Sequence, residues 1–72
     1  MNDKITYDIV EEIAILSVRG SWNLELNRVA WNGGKPKYDI RPWDGDHTKM
    51  GKGVTLSDDE MTTLLEVMAA RS

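Results

Sequence analysis

The sequence predicts an α+β fold: an antiparallel β-sheet of four to five strands followed by one C-terminal α-helix. Three observations carry that expectation. Up to Trp43 the chain is a succession of alternating or β-branched runs separated by Gly, Asn and Pro. A glycine-punctuated loop and a short apolar run, GVTL, come next. From Ser57 the pattern changes to helical spacing, with Met61, Leu64, Leu65 and Met68 at i, i+3, i+4 and i+7. At 72 residues the chain is expected to form a single domain over residues 1–72.

The elements follow in order. KITYDIV sets Ile5, Tyr7 and Ile9 against Thr6, Asp8 and Val10, the alternation of a strand. After two glutamates, IAILSV reads as strand again; the two runs form either a hairpin or one long bent strand. Gly20 in RGSWN marks the next turn. LELNRVAW, Leu24 to Trp31, is a further strand, and NGGKP after it is a strong turn signal. KYDIRPW returns antiparallel. Pairing Trp31 near Lys37 puts the odd residues Asn27, Val29, Trp31, Asp39, Arg41 and Trp43 on one face, read as wet. The even residues Leu24, Leu26, Tyr38 and Ile40 share the other, read as core. Arg28 falls on the apolar side and calls for a bulge or twist. Pro42 has no amide donor and belongs where pairing ends.

DGDHTKMGKG is a loop of about ten residues. Ser57-Asp58-Asp59-Glu60 is a capping box, and its acids suit a helix N-terminus. The helix is expected from about Asp58 to Ala70. Val67 and Ala69 widen its apolar stripe beyond the roughly 100° needed to cover one sheet. Either a second copy packs against it or a buried C-terminal turn absorbs the excess. A chain of this size buries only about 60% of its unfolded surface. It has no cysteine, so disulfides and thiolate metal sites are excluded. Oligomerisation is a common remedy.

The formal net charge is −3, but it is unevenly placed. Residues 1–18 carry −3, residues 19–53 carry +3 and residues 54–72 carry −3. All three tryptophans lie in the basic middle. Local field rather than total charge steers a polyanion; the bland alternative is a mixed solvated surface. No apolar run approaches the roughly 20 residues of a membrane span, and MNDKITYD lacks a signal-peptide pattern. A cytoplasmic protein, nucleoid-associated if DNA is its ligand, is expected.

Several chemistries fail on spacing. GDHTKMGKG has five residues before its Gly-Lys pair where a phosphate-binding loop has four, and Gly53 stands where a hydroxyl should hold magnesium. Asp44, Asp46 and His47, crowded in one loop, match neither a zinc nor a calcium pattern. With one histidine and no arguable triad or carboxylate pair, catalysis is not expected, nor any cofactor. Single-stranded nucleic acid fits better, because such sites combine cations along a groove with aromatic faces for bases. Arg41 and Trp43 share a strand face, with Lys37 beyond Asp39 and Trp31 across the hairpin. Lys49 and Lys52 flank it, and Gly51 and Gly53 allow backbone to approach a phosphate. Each keeps a plain alternative: Trp31 or Trp43 as core, Trp22 as cover for a core edge, Arg41 paired with Asp39 or Glu25 on an exposed sheet. A protein-interaction module, or an RNA-binding protein, suits the same features.

DIRPW followed by KMGKGVTLSDDE resembles the single-stranded DNA-binding domain of the positive cofactor four family of transcriptional coactivators. That family shows an Asp-Ile-Arg-acidic-aromatic strand, a Lys-x-Gly-basic-Gly loop, a short Ile/Val-Ser/Thr-Leu strand and a capped helix. Asp39-Ile40-Arg41, Trp43, Lys49, Gly51, Lys52, Gly53, Val54-Thr55-Leu56 and Ser57 to Glu60 match it; Pro42 replaces the acidic residue and the basic loop is one residue shorter. The likeness spans about Leu24 to Met68 and is closest to the compact bacterial members. It implies a curved antiparallel sheet, a homodimer formed through the helices, and binding of single-stranded DNA with little sequence specificity, in transcription or DNA replication and repair. By that likeness and the register, the nucleic-acid-binding candidates are Trp22, Arg28, Trp31, Lys37, Arg41, Trp43, Lys49 and Lys52. The dimer-interface candidates are Met61, Leu64, Leu65, Val67 and Met68.

Overall fold

The structure, a computed structural model, describes residues 5–71. Strands β1 (Tyr7–Arg19), β2 (Trp22–Trp31), β3 (Lys37–Trp43) and β4 (Val54–Leu56) form one antiparallel sheet in sequence order, and helix α1 (Asp58–Arg71) follows. Four strands rather than five result because the first two apolar runs are a single long strand. Among the described residues no helix is long and apolar enough to cross a membrane.

β1 stays continuous by inserting extra residues. Its pairing with β2 passes over Val10, Ile13 and Leu16. Each such bulge bends the strand and adds twist. It also changes which residues share a face: Tyr7, Ile9, Glu12, Ile15 and Val18 stand opposite Trp31, Val29, Asn27, Glu25 and Asn23. Beyond Ile9 the same-face spacing on β1 is therefore three, not two. Gly20 turns the chain into β2 with φ of 59°, a left-handed value that suits glycine.

The β2–β3 turn forms where NGGKP places it. Asn32 and Gly33 take left-handed φ values of 53° and 74°, and the Gly34 amide donates to the Trp31 carbonyl at 2.8 Å. Asn32 also exchanges hydrogen bonds with the Thr6 backbone, which ties the approach to β1 to this turn. Val29, not Trp31, lies opposite Lys37. The shift is two residues, an even number, so the odd and even faces keep their members.

What those faces bury corrects the expectation. The buried strand residues are Glu25, Asn27, Val29, Asp39 and Trp43, all odd; Leu24, Leu26, Tyr38 and Ile40 are only half-buried. The odd face is the inner one because the segment after β3 folds back across it and its polar groups satisfy one another. Arg28 needs no bulge. It lies on the outer face with its guanidinium 4.9 Å from the Tyr38 ring centre and 3.9 Å from the Asp58 carboxylate.

Pro42 sits opposite Leu24 in the ladder, and its carbonyl accepts from Gly51 on the other side. A residue's N and O point the same way along a strand, so the missing donor faces the side where pairing with β4 has already ended, at Ile40. Gly53, just before β4, lies very close to β3. A Cβ there would lie 2.2 Å from Arg41 Cβ and 2.3 Å from the Ile40 carbonyl.

The capping box forms as read: Ser57 Oγ accepts from the Glu60 amide, and the Glu60 carboxylate accepts from the Ser57 amide. The helix contacts β3 and β4, and Met61 is its buried residue. Asp58 in its first turn faces Arg28 of β2, and Leu64, Leu65, Val67 and Met68 are exposed.

Because the atoms facing Gly53 are backbone and Cβ, neither can swing aside. Gly53→Ala should destabilise the fold by about 1–3 kcal/mol, the usual cost of overpacking. Urea denaturation would show it as a lowered midpoint.

Candidate nucleic-acid interface

The centre of the inner face is Asp39, which is 0% exposed. On β3 it stands between Asn27 on one side and Thr55 on the other. A buried carboxylate needs partners for both oxygens. Arg41, two residues on and so on the same face, supplies a fork: Nε donates to Oδ1 at 2.7 Å and Nη2 to Oδ2 at 2.8 Å. The Thr55 hydroxyl donates to Oδ2 at 2.9 Å. Arg41 is itself mostly buried, so this pair is not the exposed sheet contact that the sequence allowed.

The fork fixes the plane of the guanidinium, whose carbon lies 4.6 Å from the Trp31 ring centre. That is within cation–π range. Trp31 and Arg41 wall an open cleft of about 280 Å³ together with Ile5, Asn32, Met50 and Thr55.

Beside the cleft lies a plug. The Trp43 ring packs 5.1 Å from Tyr7 and 5.5 Å from His47, centre to centre. The Tyr7 hydroxyl donates to the His47 carbonyl. His47 Nε2 lies 2.8 Å from Glu25 Oε1, which also accepts from Asn27 Nδ2 at 2.9 Å. These bonds draw the loop after β3 down over the inner face. Trp43 is consequently 0% exposed. Of the two readings the sequence left open for Trp43, this burial favours the core one: the ring fills the space beneath the loop.

The loop is also more tightly built than a run of Gly, Asp and Lys implies. Asp44 accepts from the Thr48 amide, the Thr48 hydroxyl and the Lys49 amide at 2.9–3.0 Å. The bond from Lys49 is the largest cause holding the Asp44 carboxyl below its ordinary value of 3.8. This contribution is in place above that value and disappears as pH falls through the lowered one. Gly51 and Gly53, read as points of approach to phosphate, instead approach Pro42 and the Ile40–Arg41 backbone.

The candidates from sequence thus divide. Trp31, Arg41 and Lys37 share the inner face; Lys37 is exposed at the start of β3. Lys49 and Lys52 are exposed on the loop that supplies Met50 to the cleft. Trp22 and Arg28 lie on the outer face. Trp22, 37% exposed, lines a second, nearly apolar hollow with Arg19, Pro42 and Gly51. Met61 is buried within the chain, whereas Leu64, Leu65, Val67 and Met68 are exposed. Sequence reasoning passed over Ile5, Asn32, Met50 and Thr55 as cleft residues and Tyr7 as part of the plug. Parity offered a signal for Thr55 alone, since β4 had only to pair with Asp39 in register.

Comparison with known proteins agrees with the motif reading. Residues 18–67 match the family model described as Transcriptional Coactivator p15 (PC4). A protein of Treponema pallidum (strain Nichols), described as an uncharacterized protein, is 42% identical over 73 aligned residues, covering 100% of this chain and 86% of its own length.

If Trp43 is a packing residue, Trp43→Ala should remove about 3–5 kcal/mol of stability, a large fraction of what a small domain has. Circular dichroism melts of the variant should show unfolding at or near room temperature; a folded variant with near-normal melting would place the ring outside the core.

Proposed function

The chain belongs to the PC4 family, and from that premise we propose that it binds single-stranded DNA with little sequence specificity, as a non-enzymatic homodimer acting in transcription or DNA maintenance. The observation that carries the reading is the Trp31–Arg41 stack at the wall of an open cleft, flanked by the exposed Lys37, Lys49 and Lys52. Single-stranded nucleic acid is held by that combination: aromatic faces for the bases and cations for the backbone. The apolar, acid-capped helix has no basic face to lay in a duplex groove.

The dimer reading rests on the helix. Leu64, Leu65, Val67 and Met68 expose between 41% and 62% of their surface. An isolated helix of fewer than about 12–15 residues is marginal in water, and most helices are held by an apolar face packed on something else. Here α1 has 14 residues and buries one. A second copy of the same helix, packed on that stripe about a two-fold axis, supplies the missing contact.

Titration of tryptophan fluorescence with oligo-dT, duplex DNA and single-stranded RNA tests the ligand. Oligo-dT should bind more tightly than duplex and more weakly as salt rises. Trp31→Ala should weaken it by about 5- to 100-fold, the range for loss of one stacked base. No response to oligo-dT at micromolar protein sinks the reading. Stronger binding of RNA would shift the ligand class, which demands a contact to the 2′-hydroxyl. Capture of an acidic protein partner that oligo-dT does not displace would favour an interaction module.

Sedimentation equilibrium tests the assembly. The wild-type chain should run at twice its 8.2 kDa mass, and Leu65→Glu, on the exposed stripe, should run as a monomer. A monomeric wild type overturns the dimer.

A further inference from the structure

Arg41 is charged, yet little of that charge is free for a ligand. Two of its nitrogens are committed to Asp39 at 2.7 and 2.8 Å, and the carboxylate they face is entirely cut off from water. A phosphate that takes the Nε/Nη2 fork would have to draw Arg41 away from a buried anion, which is strongly unfavourable. Seen from the cleft, the pair is close to neutral. The exposed Lys37, Lys49 and Lys52 carry no such commitment to a buried carboxylate.

A count of donors and acceptors narrows the ligand further. Both Asp39 oxygens are occupied by Arg41 and Thr55. Asn32 Oδ1 accepts from the Thr6 amide at 3.0 Å. The Thr55 hydroxyl gives its proton to Asp39 and has Arg41 Nη2 beside it at 3.5 Å. The side-chain acceptors of the cleft are therefore engaged. The charged donor left over is Arg41 Nη1, whose protein neighbour is the Met50 sulfur at 3.6 Å, a weak acceptor; the Asn32 side-chain amide is a neutral donor, and the Trp31 indole N–H is buried. The walls around it are flat or apolar: Trp31, Met50 and Ile5. At about 280 Å³ the cleft lies just below the roughly 300–1,000 Å³ of drug-sized sites, room for one ring system rather than several.

We propose that this cleft is a seat for a single nucleobase bearing a ring carbonyl, thymine, cytosine or guanine, whose oxygen accepts from Arg41 Nη1 while the base lies against the Trp31–Arg41 wall. Phosphate neutralisation falls to the lysines. Asp39 is then a positioning residue: it turns Arg41 from a phosphate clamp into a fixed plate with one outward donor. Adenine has a ring acceptor beside an amino donor but no carbonyl, and gains less from a donor-only wall. The inference rests on the single-stranded DNA reading above and adds to it which base edge is favoured and by which atom.

The test uses the wild-type chain first. Its affinity for oligo-dT is compared with that for the same oligomer carrying difluorotoluene, the apolar isostere of thymine, at every position. Loss of a charge-assisted hydrogen bond should weaken binding by about tenfold or more; equal affinity overturns the proposal while leaving DNA binding intact. Failure to bind oligo-dT at all overturns both. A second arm reads the salt dependence of oligo-dT binding. Lys49→Gln should flatten the log–log slope by about 0.7, one phosphate contact on a single strand. The paired variant D39N/R41Q, which replaces the ion pair by neutral groups of similar shape, should weaken binding without flattening the slope. Flattening equal to that of Lys49→Gln would make Arg41 a phosphate contact and overturn the assignment.

Discussion

A carboxylate with no access to water has to be neutralised where it stands, and at Asp39 this requirement reaches much of the inner face. Its two oxygens hold the Arg41 fork and the Thr55 hydroxyl, so one side chain fixes both the orientation of a guanidinium and the seating of β4 on β3. Removing one member of such a buried pair costs about 3–5 kcal/mol because the other is stranded. Gly53 belongs to the same arrangement. Two residues before Thr55, which pairs with Asp39, Gly53 lies so close to Arg41 and the Ile40 carbonyl that a Cβ has no room. The Trp31–Arg41 wall is a consequence of the same constraint, since the fork leaves the guanidinium plane little freedom to leave the indole.

The inner face is thus polar and buried at once, which is uncommon in a chain this small. It is tolerable because the polar groups are paired: Glu25 with Asn27 and His47, Asp39 with Arg41 and Thr55. Low local polarity strengthens these bonds and raises the cost of leaving any of them unmade. The indole nitrogens of Trp31 and Trp43 are the exceptions, buried without a partner among the described residues. The plug of Tyr7, Trp43 and His47 closes one part of the face. The Trp31–Arg41 cleft leaves another part open, and function is proposed for the open part.

The acidic total charge is a poor guide to that surface. The acids are concentrated in β1 and in the first turn of α1, while the free lysines belong to β3 and the loop after it. In α1 the acids serve the helix N-terminus. Most of the exposed large apolar residues fall likewise into two groups, Leu64, Leu65, Val67 and Met68 on the helix and Val10, Ile13, Ile15, Leu16 and Val18 on β1. The first group is the stripe on which the proposed second copy of the chain would pack.

By itself the sequence determined the order of elements, the turn at Asn32–Gly34, the capping box and the two-face partition of β2 and β3, because each depends on local chemistry or on the period of two along a strand. The motif around Asp39-Ile40-Arg41 and Lys49 to Gly53 was enough to indicate the family. What only the tertiary structure decided was which face became the interior. The count of apolar residues favoured the even face, since it could not include a loop returning over the odd one, nor the bulges at Val10, Ile13 and Leu16 that shift the faces of β1. For the same reason Trp43 and Trp31, indistinguishable as tryptophans at strand ends, were separated only by what folds over them. One lies beneath His47 and Tyr7, and the other stands at the edge of a cleft with a guanidinium held against it by a buried charge.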